Sequence, residues 1–225
     1  MCGRITFSNS TTTAQKLGVL DLDAARDGDV NAFAFKGTSV FGLADKAPEK
    51  LREFHWPLVP SWCNEYPGFN TINARSEDMA EKAAYKHLLG KRHCIIAIDG
   101  FYEWERGGQK RPFHFSMANA DLMLCAGLWD YNTNLAEPVL SCTIITREPN
   151  DIIGEVHNRM PVILTREHMA IWLDATLPYA ERAQVLKPIE NSALLKFEIG
   201  KSVNKAANKS GNWFDGPHEG EPCLF

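Results

Sequence analysis

The stretch from 93 to 128 constrains the fold more than any other part of the chain. Residues 93–105 (HCIIAIDGFYEWE) read as a strand, an Asp-Gly break and a second strand. Gly107 and Gly108 then mark a hairpin turn into Pro112–Met117. Apolar runs at 122–128 (LMLCAGL), 139–146 (VLSCTIIT) and 161–164 (PVIL) predict further strands. Short turns join them, where a doubly wound sheet would need crossover helices. This favours an α+β fold on a mixed, largely antiparallel sheet with peripheral helices. One helix is expected at 76–89, with Ser76 as N-cap, acidic residues in its first turn, Ala80, Ala84 and Leu88 on one face, and Gly90 as its stop. Others are expected at 166–173, capped by Thr165, and at 178–187, with Pro178 at N1. No repeat or linker divides the chain, so 1–225 reads as a single domain. The loop-like stretch 205–222 carries Trp213 and Phe214, which predicts that it packs on the body.

Composition narrows the class. The 225 residues are 44% hydrophobic and 23% charged, enough apolar material for a sizeable core. No run approaches the ~18 apolar residues of a membrane span, and the first residues lack the apolar segment of a signal peptide. An intracellular protein is expected. Its net charge of −4 argues against attachment to nucleic acid by bulk charge, so any such site is a local basic groove. The six cysteines form no CxxC or CxxH pair, which speaks against structural zinc, and nothing calls for a cofactor. Cys94, Cys125 and Cys142 lie in apolar strands and read as small buried hydrophobes.

Cys2 stands apart. Once Met1 is removed, it presents an α-amine and a thiol on adjacent carbons. The α-amine has a reference pKa of ~7.7–8.0 against ~10.4 for lysine, so roughly a tenth is neutral at pH 7. That amine can condense with an aldehyde, and the thiol can close the imine to a thiazolidine. Gly3 gives the nucleophile room, and Arg4 offers a cation for phosphate.

Other residues can serve such chemistry, each with a plainer alternative. Asn73 precedes the expected helix and can orient a sugar or imine, while Arg75 is either a phosphate contact or a solvated side chain. Glu103, among the aromatics of Asp99-Gly100-Phe101-Tyr102-Glu103-Trp104, is either a desolvated general acid/base or an edge carboxylate paired with Arg111. His157, in the polar knot 155–161 with Arg159 and Pro161, is either a proton shuttle or structural. Trp62 is a base-stacking indole or core packing.

Together these segments resemble the SRAP (SOS response-associated peptidase) family of abasic-site processing proteins. The blocks are MCGR at the start, NAR at 73–75, DGFYEW at 99–104 and HNRMPVIL at 157–164, with weaker ones at 55–62 (HWPLVPSW), 126–130 (AGLWD) and 203–210 (VNKAANKS). The resemblance implies a compact monomer that binds single-stranded DNA at an abasic site. It implies Cys2 as the crosslinking nucleophile, Glu103 as acid/base and His157 in proton transfer, strand incision and crosslink reversal. It further implies Asn73 orienting the amine and Arg4, Arg75 and Arg159 on flanking phosphates. Lyase activity and self-removal of Met1 come with it. The segment 31–38 (NAFAFKGT) departs from the family pattern by losing a proline and lengthening the loop. On the residues alone, an N-terminal-nucleophile peptidase or amidase, or a non-covalent binder of modified single-stranded DNA, would also fit.

Overall fold

A computed structural model describes residues 2–211 and residue 214. In chain order the elements begin with β1 (Arg4–Phe7), α1 (Ser10–Leu17), β2 (Asp21–Leu22), β3 (Asp29–Phe33), β4 (Thr38–Ala44) and β5 (Ala47–Trp56). The middle of the chain forms β6 (Asn73–Arg75), β7 (His93–Ile98), β8 (Gly100–Trp104), β9 (Pro112–Met117), β10 (Met123–Asn132) and β11 (Val139–Arg147). Then follow α2 (Asp151–Gly154), β12 (Met160–Pro161), β13 (Ile163–Leu164), α3 (Arg166–Leu173), α4 (Tyr179–Arg182) and β14 (Leu194–Glu198).

The strands make two sheets, and the expected α+β class holds. A five-stranded sheet runs β14-β9-β8-β1-β3, and a nine-stranded one runs β12-β11-β10-β7-β4-β5-β2 with β13 on β10 and β6 on β11. A parallel bridge between Ser141 and His55 joins β11 to β5, bringing the two ends of the β11–β10–β7–β4–β5 run together. The run from His93 to Ile98 is buried throughout, and the apolar side chains of these strands share the interior with buried Asp130, Asn132, Ser141, Thr143 and Thr146. The chain passes from the large sheet to the small one at Asp99, whose N–H donates to the Thr6 carbonyl (2.9 Å). Gly42 allows β4 to lie close against β7: a Cβ there would sit 1.8 Å from the Ile95 carbonyl oxygen.

Among the expected helices, 166–173 forms as read, with the Thr165 side chain accepting from His168 N–H. The 178–187 helix is shorter: α4 ends at Arg182, a 3₁₀ turn covers Ala183–Val185, and Pro178 is the N-cap. Residues 76–89 do not form the expected helix. Asn73, Ala74 and Arg75 pair in parallel with β11, and Ser76 N–H still donates to the Thr146 carbonyl, so the chain enters the segment extended. It continues as linked turns, with Met79→Arg75, Lys82→Met79 and Tyr85→Lys82 bonds mixing i,i+4 and i,i+3 spacing. Met79, Tyr85 and Leu88 are buried. Tertiary burial of these side chains outweighs the local helix signals. Phe214 packs beside His114 (ring centroids 5.0 Å), whereas Trp213 and Cys223 lie outside the described residues.

Candidate active site

The segment leading into β1 is stitched into the body by its backbone. Asn73 Nδ2 donates to the Cys2 carbonyl (3.0 Å), and Ala34 N–H donates to the Gly3 carbonyl (3.1 Å). Cys2 is only 1% exposed. Burial, with Cys125 and the Glu103 carboxylate nearby, pushes its thiol well above the ordinary range, so it is held protonated. Asn73 is fixed from behind: its carbonyl accepts from the Tyr85 hydroxyl (3.2 Å). Its side-chain oxygen is buried and accepts nothing from the described residues, an acceptor left open beside Cys2.

Glu103 is the penultimate residue of β8, opposite Phe113 and 4% exposed. Burial raises its carboxyl pKa, which favours the neutral acid. The plainer reading paired it with Arg111; instead Glu105 takes Arg111, with bonds of 2.7 and 3.0 Å. His157 follows α2, its N–H donating to the Ile153 carbonyl (2.8 Å). Its Nδ1 lies 3.1 Å from Arg159 N–H, and its Nε2 is 3.9 Å from Glu103 Oε2. Burial first, then the positive charges around it, Arg106 and Arg159 among them, lower its pKa to about 4, so the ring is neutral near pH 7. Cys2, Asn73, Glu103 and His157 thus converge from four separate segments. The set combines an open amide acceptor, a carboxyl whose burial favours its neutral form and a neutral imidazole around a thiol. It can move protons at a nucleophile.

The basic residues divide. Arg75 is exposed, its Nε 3.9 Å from Glu77. Arg159 is buried and bidentate to Glu77 (2.9 and 2.8 Å), which with burial opposing holds that carboxyl at about 2. Arg4 corrects the sequence expectation of a phosphate contact. It is 7% exposed, donates to Asn31 Oδ1 (2.9 Å) and the Val203 carbonyl (2.7 Å), and lies over the Phe33 ring. Its sequence position beside Cys2 gave no hint that the guanidinium points into the body.

Trp62 is half exposed rather than core, and stacks on Phe69 at 6.2 Å between ring centroids. Both line a cavity of about 560 Å³ with Asn73, Arg75, Lys82 and Tyr85. Sequence reading missed Phe69, Lys82 and Tyr85; an aromatic in the polar loop 64–70 was the available signal for Phe69. It also missed Asn31, whose Nδ2 holds the carbonyls of Val203, Lys205 and Asn208, each at 3.1 Å. Among the described residues no group of three His, Cys, Asp or Glu could hold a metal ion, and no helix is long and apolar enough to cross a membrane.

Two sheets with a buried nucleophile cluster at the chain's start define the class, and sequence comparison gives the family. The model of the SOS response associated peptidase (SRAP) family matches residues 1–206, and the chain belongs to that family. It is 34% identical over 178 residues to the abasic site processing protein YoaM of Bacillus subtilis (strain 168), covering 77% of this chain and 78% of that one. It is also 34% identical over 193 residues to the abasic site processing protein HMCES of Gallus gallus, covering 73% of this chain and 57% of that protein. The crystal structure of a Bacteroides thetaiotaomicron protein shares the fold, with a TM-score of 0.80 at 22% identity over 90% of this chain and 93% of that one.

Proposed function

We propose that this protein processes abasic sites in single-stranded DNA by capturing the ring-opened sugar covalently on Cys2, as part of a DNA-damage response. The observation that carries the reading is the convergence of Asn73, Glu103 and His157 on a cysteine that becomes the first residue once Met1 is hydrolysed away. The freed α-nitrogen attacks the sugar aldehyde to give a carbinolamine. Protonated Glu103 delivers a proton to the departing hydroxyl, water leaves and an imine forms. The Cys2 thiol then adds to the imine carbon while its proton passes to nitrogen, closing a thiazolidine. Aldehyde and aminothiol thus give thiazolidine and one water. At the imine stage, proton abstraction from the sugar, with His157 as base, would break the strand by elimination, the lyase reaction. The same thiol, with Glu103 and His157, suits hydrolysis of the bond between Met1 and Cys2. Arg75 meets a flanking phosphate, Arg159 braces the wall through Glu77, and Trp62 offers a ring to an unpaired base.

The test mixes purified protein with a single-stranded oligonucleotide carrying one abasic site and follows it by denaturing gel and intact mass. The expected product lacks Met1 and weighs one water less than the sum of its parts. Cys2→Ala forms none of it. Cys2→Ser yields an adduct that survives denaturation only after borohydride reduction. An adduct unchanged in Cys2→Ala, or peptide turnover with indifference to DNA, overturns the reading.

A further inference from the structure

The loop that carries half-exposed Trp62 is anchored on both sides of that ring, with Leu58, Val59 and Cys63 buried. Surface loops ordinarily satisfy their backbone with water. Here Val59 N–H donates to Ser141 Oγ (2.8 Å) and Ser61 N–H to Asp130 Oδ2 (2.7 Å). Asn132 Nδ2 donates to the carbonyls of Pro60 (2.7 Å) and Cys63 (2.9 Å), and Asn134 Nδ2 donates to the Ser61 carbonyl (2.9 Å). The holding groups all come from the end of β10, the turn after it and the facing strand β11.

Asp130 does more than hold one amide. Its side chain is wholly buried, yet it pairs with Arg92 and lies 3.2 Å from His87 Nε2. His87 belongs to the turn segment that supplies Lys82 and Tyr85 to the cavity and Arg92 leads from it into β7, whereas Ser61 belongs to the loop that supplies Trp62. One carboxylate therefore ties the two walls together. Burying a carboxylate is costly, and apolar packing would often be at least as stable, so holding a geometry is the better account of its presence.

We propose that Asp130 is a positioning residue that sets the spacing between the Trp62 loop and the Lys82–Tyr85 wall, so that single-stranded DNA meets a preformed cleft. The inference rests on the abasic-site reading for its functional measurement. It touches neither sugar nor reacting atoms. Its loss acts on capture of the strand, because the loop must then be ordered on binding.

The experiment measures adduct formation against oligonucleotide concentration for the whole protein and its Asp130→Ala variant. Half-saturation should rise about tenfold while the limiting rate stays within about twofold. In a Trp62→Ala background, adding Asp130→Ala should cost almost nothing more, the non-additivity of residues acting through one another. A fall in limiting rate at unchanged half-saturation, or effects that simply multiply, overturns the proposal. Should Asp130→Ala fail to fold, Asn134→Ala removes only the single exposed bond to Ser61 and should raise half-saturation about two- to threefold. No rise there overturns it equally. Hydrogen exchange at Ser61 separates the two readings. A wild-type chain that forms no adduct sinks the abasic-site reading alone, while Ser61 exchange unchanged in a folded Asp130 variant sinks the clamp.

Discussion

Glu103 is where environment and chemistry can be told apart by one atom. Its burial keeps the carboxyl protonated more readily than an exposed glutamate, and His157 Nε2 stands 3.9 Å away, beyond direct hydrogen-bond reach. Glu103→Gln preserves shape and much of the hydrogen-bonding capacity but has no acidic proton to transfer. It should slow adduct formation at saturating DNA by about 10²-fold or more, with oligonucleotide affinity unchanged. Single-turnover kinetics beside a binding titration checks both halves, and a full-speed Gln variant would remove Glu103 from the mechanism. Arg4 teaches the opposite lesson. Its charge, two residues from Cys2 in sequence, is taken up by Asn31 and the Val203 carbonyl, whereas Arg75 is exposed.

Among the elements, strand packing at Gly42 gives the clearest expectation. A methyl there would meet the Ile95 carbonyl oxygen at 1.8 Å, so β4 and β7 would have to part. Gly42→Ala should cost about 3 kcal/mol or more, and Gly68→Ala, with nothing within 4 Å, within about 0.5 kcal/mol. Urea unfolding of the two variants compares them. The β7–β8–β9 run and α3 were legible because local signals and tertiary packing agree there: alternating or apolar strands, a two-glycine turn, a threonine cap. Residues 76–89 misled because acidic N-terminal residues and an alanine stripe outweigh, on paper, the pairing with β11 that determines how the chain arrives. Helix α1 (STTTAQKL) went unread because threonines are weak helix formers, and its Asn9 cap bond to Thr12 N–H (2.9 Å) supplies what composition lacks. In the candidate site, Cys2, Asn73, Glu103 and His157, which the structure brings together, stood out in the sequence by type and context. Phe69, Tyr85, Asp130 and Asn132 did not, since their roles come from contacts across the fold rather than from neighbours in sequence.

For the molecule as a whole, His93, His114 and His157 are folded away neutral, and burial lowers His55 as well. Burial lowers His93 and His114 to about 3 and His157 to about 4, with Arg182 adding to the effect on His93. The unfolded chain protonates its histidines as pH falls through about 6.5, so between that value and about 3 it binds more protons than the folded one. Stability should therefore fall with acid over this window, by up to about 1.4 kcal/mol per histidine per pH unit. Denaturant midpoints at pH 7, 5.5 and 4.5 measure the slope. His114→Phe should flatten it, because both ring nitrogens of His114 are buried with no hydrogen-bond partner among the described residues. An unaltered slope would contradict the assignment. The stitching of the first residues into the body has a consequence in time. Arg4 bonds to Val203, 199 positions later, and Cys2 waits on Asn73, Glu103 and His157 from the middle and later parts of the chain. A chain still emerging from the ribosome carries its cysteine from the start, but the groups that gather around it arrive only as synthesis nears its end. Half-made copies thus lack the assembled cluster.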